Sequence, residues 1–530
     1  MKKIFILLIF SFFVISCEEL VEEKVYSTLT PNGFFQSEAD IVTGVNGIYD
    51  AMQADTWNIS LLWMNDMMPG ALCHNWSYQG WNTLNLYDSW DTWFNHWQLW
   101  SRAYVIIGRV NVLLDALENS PVKEEIRNKY EAEARFIRAY AYFVLANTFG
   151  HVPLATKAPD KLADVLIPDS SSKDTFDSDF LKQVDRDVIH EFIIKELQFC
   201  EVNLPSEYNS SGVGRVTKWS AKGMLAKLYL TMAGKQYNYN NGQLENGDPS
   251  NYNLCLQKVE EIIHSGKFSL LQDYQNVFGG LYDNVYDNNE EILFAIQFVS
   301  TAEAGQSGEG NDLVLRYGIR GANITPYSIL QARANDVFMA DFINHNSVDN
   351  PRYHTTFLTE YTNSGGKVIR WGETSTFMKP HVKKLLSDYD YPNIESTGRT
   401  DYGDDVIILR YADILLMQSE VLNEINGPNE NTLEGINQVR ERVDLSPIEL
   451  PIDQQSLRDL IFEERKWELA YEGHYYFDCQ RTGRLTEEII RNWHNEREVE
   501  KEMITNKYYL MPIPFWAIEK NPSLKQNFGY

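Results

Sequence analysis

The stretch KEEIRNKYEAEARFIRAYAYFVLANTF (123–149) decides the fold class. Ile126, Tyr130, Ala134, Ile137, Ala141 and Leu145 follow one another at steps of three or four, which places them on one face of a helix. Similar spacing recurs further on. Val184, Val188, Phe192, Leu197, Cys200 and Leu204 carry it through 181–204, and Ile408, Tyr411, Leu415, Gln418 and Leu422 through 406–425. Further helices are predicted at about 38–53, 90–118, 216–233, 251–265, 328–344, 431–443 and 455–472. A short NSPV turn joins 90–118 to 123–149, with Pro121 suited to a helix start, so these two are expected as an antiparallel pair. The expected class is mainly α.

Two kinds of segment interrupt the helical pattern. Residues 236–250 and 300–326 are rich in Asn, Gly and Ser, whereas ILFAIQFV (292–299) is apolar, aromatic and strand-like. A helical frame carrying a long irregular section with a few short strands is the expected architecture, and loops held on a rigid frame are where binding sites usually lie.

Of 530 residues, 44% are hydrophobic and 13% aromatic, enough for a large core. The 47 Lys and Arg against 74 Asp and Glu give a net charge of −27, which repels phosphate backbones and argues against nucleic acid as a partner. Lys2 and Lys3 precede an apolar run, Ile4 to Ile15, broken only by Ser11 and ending at Ser16 and Cys17. This reads as a signal peptide over residues 1–16; the run is shorter than the roughly 20 residues a membrane span needs. Ser16 before Cys17 resembles a bacterial lipobox, which makes Cys17 the expected lipidation site. Two or three acyl chains on such a cysteine would anchor durably, since one chain holds only marginally. EELVEE (18–23) then resembles the acidic tag of lipoproteins exported to the outer face of the outer membrane. Cys73, Cys200, Cys255 and Cys479 show neither CxxC nor Cys/His spacing, so no disulfide framework and no zinc site are expected. DNNEE (287–291) and DYGDD (401–405) lack the spacing of a calcium loop and read as solvated acidic loops. No metal and no cofactor are expected.

Eight of the 13 tryptophans fall between 57 and 100. Trp90, Trp93, Trp97 and Trp100 share a helical face and are expected in the core, whereas Trp76, Tyr78 and Trp81 lie in HNWSYQGWN (74–82), among amides and glycine with no helical frame. A flat ring edged by Asn75, Gln79 and Asn82 suits a sugar, whose C–H face packs on the aromatic while its hydroxyls bond to the amides. Trp76, Tyr78, Trp81, Asn75 and Asn82 are therefore candidate ligand contacts. A second wall is expected from the middle section, where Tyr282, Tyr286, Tyr317, Arg320, Tyr327 and Trp371 are available. Asp66 is expected as a helix cap or a ligand acceptor.

Six blocks carry a family resemblance. EAEARFIRAYAYFVLANTFGHVPL (131–154), GRVTKWSAKGMLAKLYLTMAG (214–234), VIILRYADILLMQSEVLNEING (406–427), INQVRERVDL (436–445), IFEERKWELAYEGHYYFDCQRTG (461–483) and LMPIPFWAIEKNPSLKQNFGY (510–530) resemble, in order, the SusD/RagB family of outer-membrane nutrient-binding lipoproteins. The departures, His151 in the GDVPL position and Cys479-Gln480 for Leu-Arg, fall in scaffold blocks. The resemblance implies tetratricopeptide-like helix pairs with an irregular ligand-binding region, placed on the cell surface over a SusC-type TonB-dependent transporter. It also implies capture of glycans, glycopeptides or peptides without catalysis, and it puts part of the ligand surface just before the helix at 90–118. The expected layout is a signal peptide (1–16), a lipidated cysteine and tether (17–36), an N-terminal helical part (37–235), an irregular ligand-binding section (236–400) and a C-terminal helical part packing back on the scaffold (401–530).

The expected function is capture of oligosaccharide and its delivery to that transporter. A peptide or glycopeptide binder with the same partner is the alternative, and a purely structural lid for the transporter is a third class. A surface glycosidase would use two carboxylates about 5–9.5 Å apart, but among 74 acids candidate pairs mean nothing, and no GxSxG, HExxH or P-loop pattern is present.

Overall fold

Capping and periodicity set the helices. α1 (Glu38–Met52) starts at Ser37, whose hydroxyl accepts the Asp40 amide while the Asp40 carboxylate accepts the Ser37 amide at 2.8 Å. α2 (Asp55–Met67) follows almost at once and leads into β1 (Leu72–His74). The computed structural model describes residues 35–74, 94–158, 182–209, 212–278, 289–299, 310–318, 332–363, 365–374, 381–386, 403–492 and 504–530.

Long helices then stack in chain order: α3 (Phe94–Glu118), α4 (Glu124–Phe149), α5 (Arg186–Asn203), α6 (Lys218–Ala233) and α7 (Ser250–Ile263), each packed on the one before. α4 is buried on every side from Ala132 to Phe149, except at Arg135, because α1, α3 and α5 all lean on it; an all-round buried helix needs small residues at its crossings, here Ala132, Ala134, Ala139, Ala141 and Ala146. After α7 the chain leaves the stack. It builds α8 (Leu313–Tyr317), α9 (Asp336–Asn346), α10 (Pro351–Thr356) and several two-stranded ribbons before rejoining at α11 (Tyr411–Asn426), which packs on α7. α12 (Glu430–Glu441), α13 (Gln454–Glu468), α14 (Tyr475–Thr482), α15 (Leu485–Arg491) and α16 (Phe515–Lys520) complete the chain. The fold is thus mainly α, a helical scaffold carrying an irregular middle section with short strands.

Most predicted helices are present within a few residues, with two corrections. Residues 406–410 are not the first turn of a helix but a strand that pairs antiparallel with Ile292–Ile296, because VIILR is buried on both faces and lies against the apolar ILFAI. The helix expected at 328–344 begins only at Asp336, since Asn335 caps it and Ala332–Ala334 pair as a strand with β1. α2 had no counterpart among the expected helices; it buries Trp57 and Trp63 in the core, Trp57 edge-on to Tyr140.

A buried charge network ties the middle section to the C-terminal helices. Arg410 reaches Glu291 at 2.8 Å, Glu468 at 2.6 Å and Glu472 at 2.7 Å. Arg352 meets Glu468 at 2.7 Å and also Glu464, Arg442 meets Glu291 at 2.7 Å, and Lys384 meets Glu472 at 2.7 Å. Four buried cations face four carboxylates, and Arg440 adds a fifth cation to Glu464 at 2.7 Å, so each carboxylate has a cationic partner, the condition under which buried ions are tolerated. Burial would raise the Glu464 carboxyl, but Arg352 and then Arg440 overcome this and hold it at about 2. The cysteines among the described residues, Cys73, Cys200, Cys255 and Cys479, are buried and form no disulfide with one another. No described helix is long and apolar enough to cross a membrane.

Candidate ligand-binding site

β1 pairs antiparallel with β2 (Ala332–Ala334), in register His74 to Ala332 and Leu72 to Ala334. His74, the last described residue before the aromatic segment, therefore lies opposite Ala332, the first described residue after 319–331. The ribbon is fixed from below: the Asn335 side chain donates to Gly70 O at 2.7 Å and to Asn492 O at 2.8 Å, and Tyr471 Oη donates to Ala71 O at 3.1 Å.

Trp76, Tyr78, Trp81, Asn75, Asn82, Tyr282 and Arg320 lie outside the described residues, as do Gln79, Tyr286, Tyr327, Cys17, Trp90 and Trp93. Trp371, 38% exposed, sits at the end of a separate ribbon, Glu360–Thr362 with Val368–Arg370, where its backbone amide bonds to Thr359 O. Tyr317 is wholly buried, so it belongs to the core and not to a second wall. Asp66 is neither cap nor ligand acceptor. It lies in the last turn of α2, 1% exposed, and burial drives its carboxyl well above the usual carboxylate range against the pull of Lys384. Of the expected tryptophan stripe, Trp100 is buried edge-on to Phe149 and Trp97 is half-buried against Trp516, as core packing requires.

A feature that sequence reasoning missed lies at the other end of α2, whose 13 residues span about 20 Å. Two hollows flank the C-terminal turn of α1 and share Asp50 and Gln53. The larger, about 450 Å³, runs between α1 and the 213–215 and 294–297 segments; the smaller, about 360 Å³, lies between α1, α3 and Gly310. The chain leaves the larger hollow at Gln297 and returns beside the smaller at Gly310. Buried Glu133 sets the walls: it accepts Tyr208 Oη at 2.9 Å, Tyr49 Oη at 3.2 Å and the Arg215 guanidinium at 2.7 Å. Arg215 is held over the Tyr49 ring, 5.5 Å from its centroid, and also donates to Asn46. Burial would lower the Arg215 guanidinium, but Glu133 more than offsets it and keeps the group charged. Across the shared end, Arg109 pairs with Asp50 at 2.5 Å and Gln53 Nε2 donates to Gln297 O at 2.8 Å. The only sequence signal for this trough is a pair of glycines, Gly44 and Gly47, inside a helix.

Comparison with known proteins places this geometry. A family described as "Starch-binding associating with outer membrane" matches residues 19–230, and one described as "SusD family" matches residues 227–530. SusD-like protein P25 of Formosa agariphila is 27% identical over 99% of this chain and 98% of its own, and SusD-like protein P2 of the same organism is 26% identical over 99% and 98%. Among solved structures, a SusD homolog from Bacteroides thetaiotaomicron superposes with a TM-score of 0.78 at 20% identity, covering 94% of this chain and 98% of its own. A structure described as a laminarin-binding SusD-like protein gives 0.69 at 22% identity, covering 94% and 100%. With one family description matched across the C-terminal half and more, and a related one across most of the remainder, the chain belongs to the SusD family.

Proposed function

We propose that this protein is a cell-surface glycan-binding lipoprotein that captures oligosaccharide at its aromatic segment and hands it to a SusC-type TonB-dependent transporter. Cys17 carries the lipid anchor in this reading, and the chain binds without catalysis. The observation that supports it is the β1–β2 ribbon, which pairs His74, the residue before the aromatic segment, with Ala332 on a fixed part of the scaffold. Glycan as the ligand class draws support from relatives described as laminarin-binding and as surface glycan-binding protein A of Bacteroides fluxus.

Magnitudes set the mode of action. Each stacked ring adds about 0.5–1.5 kcal/mol beyond its area, and millimolar affinity needs about 4 kcal/mol. Two or three rings with a few amide bonds give millimolar to micromolar binding. Such capture suffices when the transporter closes over the ligand, because confinement raises its effective concentration. Uptake of labelled oligosaccharide by cells carrying Trp76→Ala with Trp81→Ala tests the proposal. Loss of uptake at unchanged surface abundance is expected, whereas unchanged uptake would mean a structural lid with no ligand of its own.

A further inference from the structure

The trough at the end of α1 contains hydrogen-bonding capacity that the described residues do not use. Asn46 Oδ1 accepts from Arg215, Gln53 Nε2 donates to Gln297 O, and Asp50 Oδ2 accepts from Arg109. Gln297 Nε2 turns to Asp405. Among the described residues, Asn46 Nδ2, Gln53 Oε1, Asp50 Oδ1 and Gln297 Oε1 have no hydrogen-bond partner. Its charges, by contrast, are two matched pairs, Arg215 with Glu133 and Arg109 with Asp50, and Arg102, which lines the smaller hollow only. Half-exposed Val213 adds an apolar patch to the rim.

The two glycines of α1 sharpen the point. A Cβ at Gly44 would stand 2.5 Å from the Phe35 ring, so packing excludes a side chain there. A Cβ at Gly47 would meet nothing within 4 Å. A glycine inside a helix weakens it relative to alanine, and at Gly47 the protein's own packing gives no reason to keep it. Gly47 lines the larger hollow, and the missing side chain holds that hollow open.

We infer that the larger hollow of this trough is a second saccharide subsite, about 20 Å from β1 along α2, and that it takes a neutral hexose unit rather than a uronate or sulfated one. Three unused acceptors and one donor suit hydroxyl groups, which can give and receive; a carboxylate or sulfate offers acceptors alone and would face Asp50. A volume of about 450 Å³ lies within the range of about 300–1,000 Å³ usual for ligand pockets. A glycan long enough to reach both places would be held at two points, which multiplies weak contacts. The inference rests on the proposed glycan-binding role.

Calorimetry with neutral gluco-, galacto-, manno- and xylo-oligosaccharides, and with uronate and sulfated oligosaccharides of the same length, tests it. Gly47→Phe fills the hollow and is expected to weaken neutral-oligosaccharide binding about tenfold or more, with an unchanged circular dichroism spectrum. Gln53→Met removes one acceptor at equal length and is expected to weaken it about 3- to 10-fold. Should both variants fold and bind like the parent while Trp76→Ala loses affinity, the subsite is wrong and glycan binding stands. Tighter binding of acidic than of neutral oligosaccharides also overturns the subsite. If the parent binds no oligosaccharide at all, the glycan-binding role falls and the subsite with it.

Discussion

The charge network under the middle section and the trough at the end of α1 are built from the same kinds of side chain and use them in opposite ways. In the network, Arg410 alone serves three carboxylates and the Glu468 backbone carbonyl, and Glu464, Glu468 and Glu472 are all held charged below the usual carboxylate range. In the trough, amides and a carboxylate are positioned by one bond each and, among the described residues, keep a second atom unused. Buried charges that are paired inside a protein fix its shape, and capacity left unmatched at a hollow is available to something else.

Breaking the matched side should cost most. Arg410→Met leaves Glu291, Glu468 and Glu472 facing one another without their common cation, and a loss of about 3–5 kcal/mol in unfolding free energy by denaturant titration is expected. Acid acts on the same groups more gradually. Folded-state values below the ordinary one, about 2 for Glu464, mean that these carboxylates stabilise the fold fully above the unfolded value near 4.5. That stabilisation is lost as pH falls from about 4.5 toward 2, so the midpoint of urea unfolding should be flat from pH 7 to 5 with respect to these groups and drop below it. A midpoint that rises on acidification would mean that the network is not ionised.

On the unmatched side the effects are smaller and appear in binding. Trp76→Ala and Trp81→Ala should each weaken glycan binding by about 0.5–1.5 kcal/mol beyond lost area, with little change in melting temperature. The glycine pair gives the smallest and most pointed contrast. Gly47→Ala should stabilise the protein by up to about 1 kcal/mol, since the added methyl meets nothing, whereas Gly44→Ala should destabilise it because Phe35 must move. Equal effects at the two positions would remove the argument that Gly47 is kept for the hollow.

How much of this could be read from sequence follows from the range of the interactions. α4 was legible almost to the residue, because its period of three to four is a local signal and Gly150 ends it. The strand at 406–410 was not: VIILR is an apolar run buried on both faces, and only its pairing with residues 292–296 distinguishes strand from helix. α2 was not predicted and Trp57 and Trp63 were given no role, yet both are core. Asp66 and Tyr317 were plausible site residues by type alone, and burial decided against both. The trough was out of reach, since Gln53 and Gln297 meet across 244 positions of sequence and their unused atoms exist only once the fold has spent the others.

Titration of the mature protein with neutral oligosaccharides and, in parallel, with a peptide pool tests the glycan-binding role most directly. The expected result is saturable binding of at least one neutral oligosaccharide between micromolar and millimolar, lost in the Trp76→Ala and Trp81→Ala double variant. Binding to peptides alone, with no response to any glycan, would contradict it.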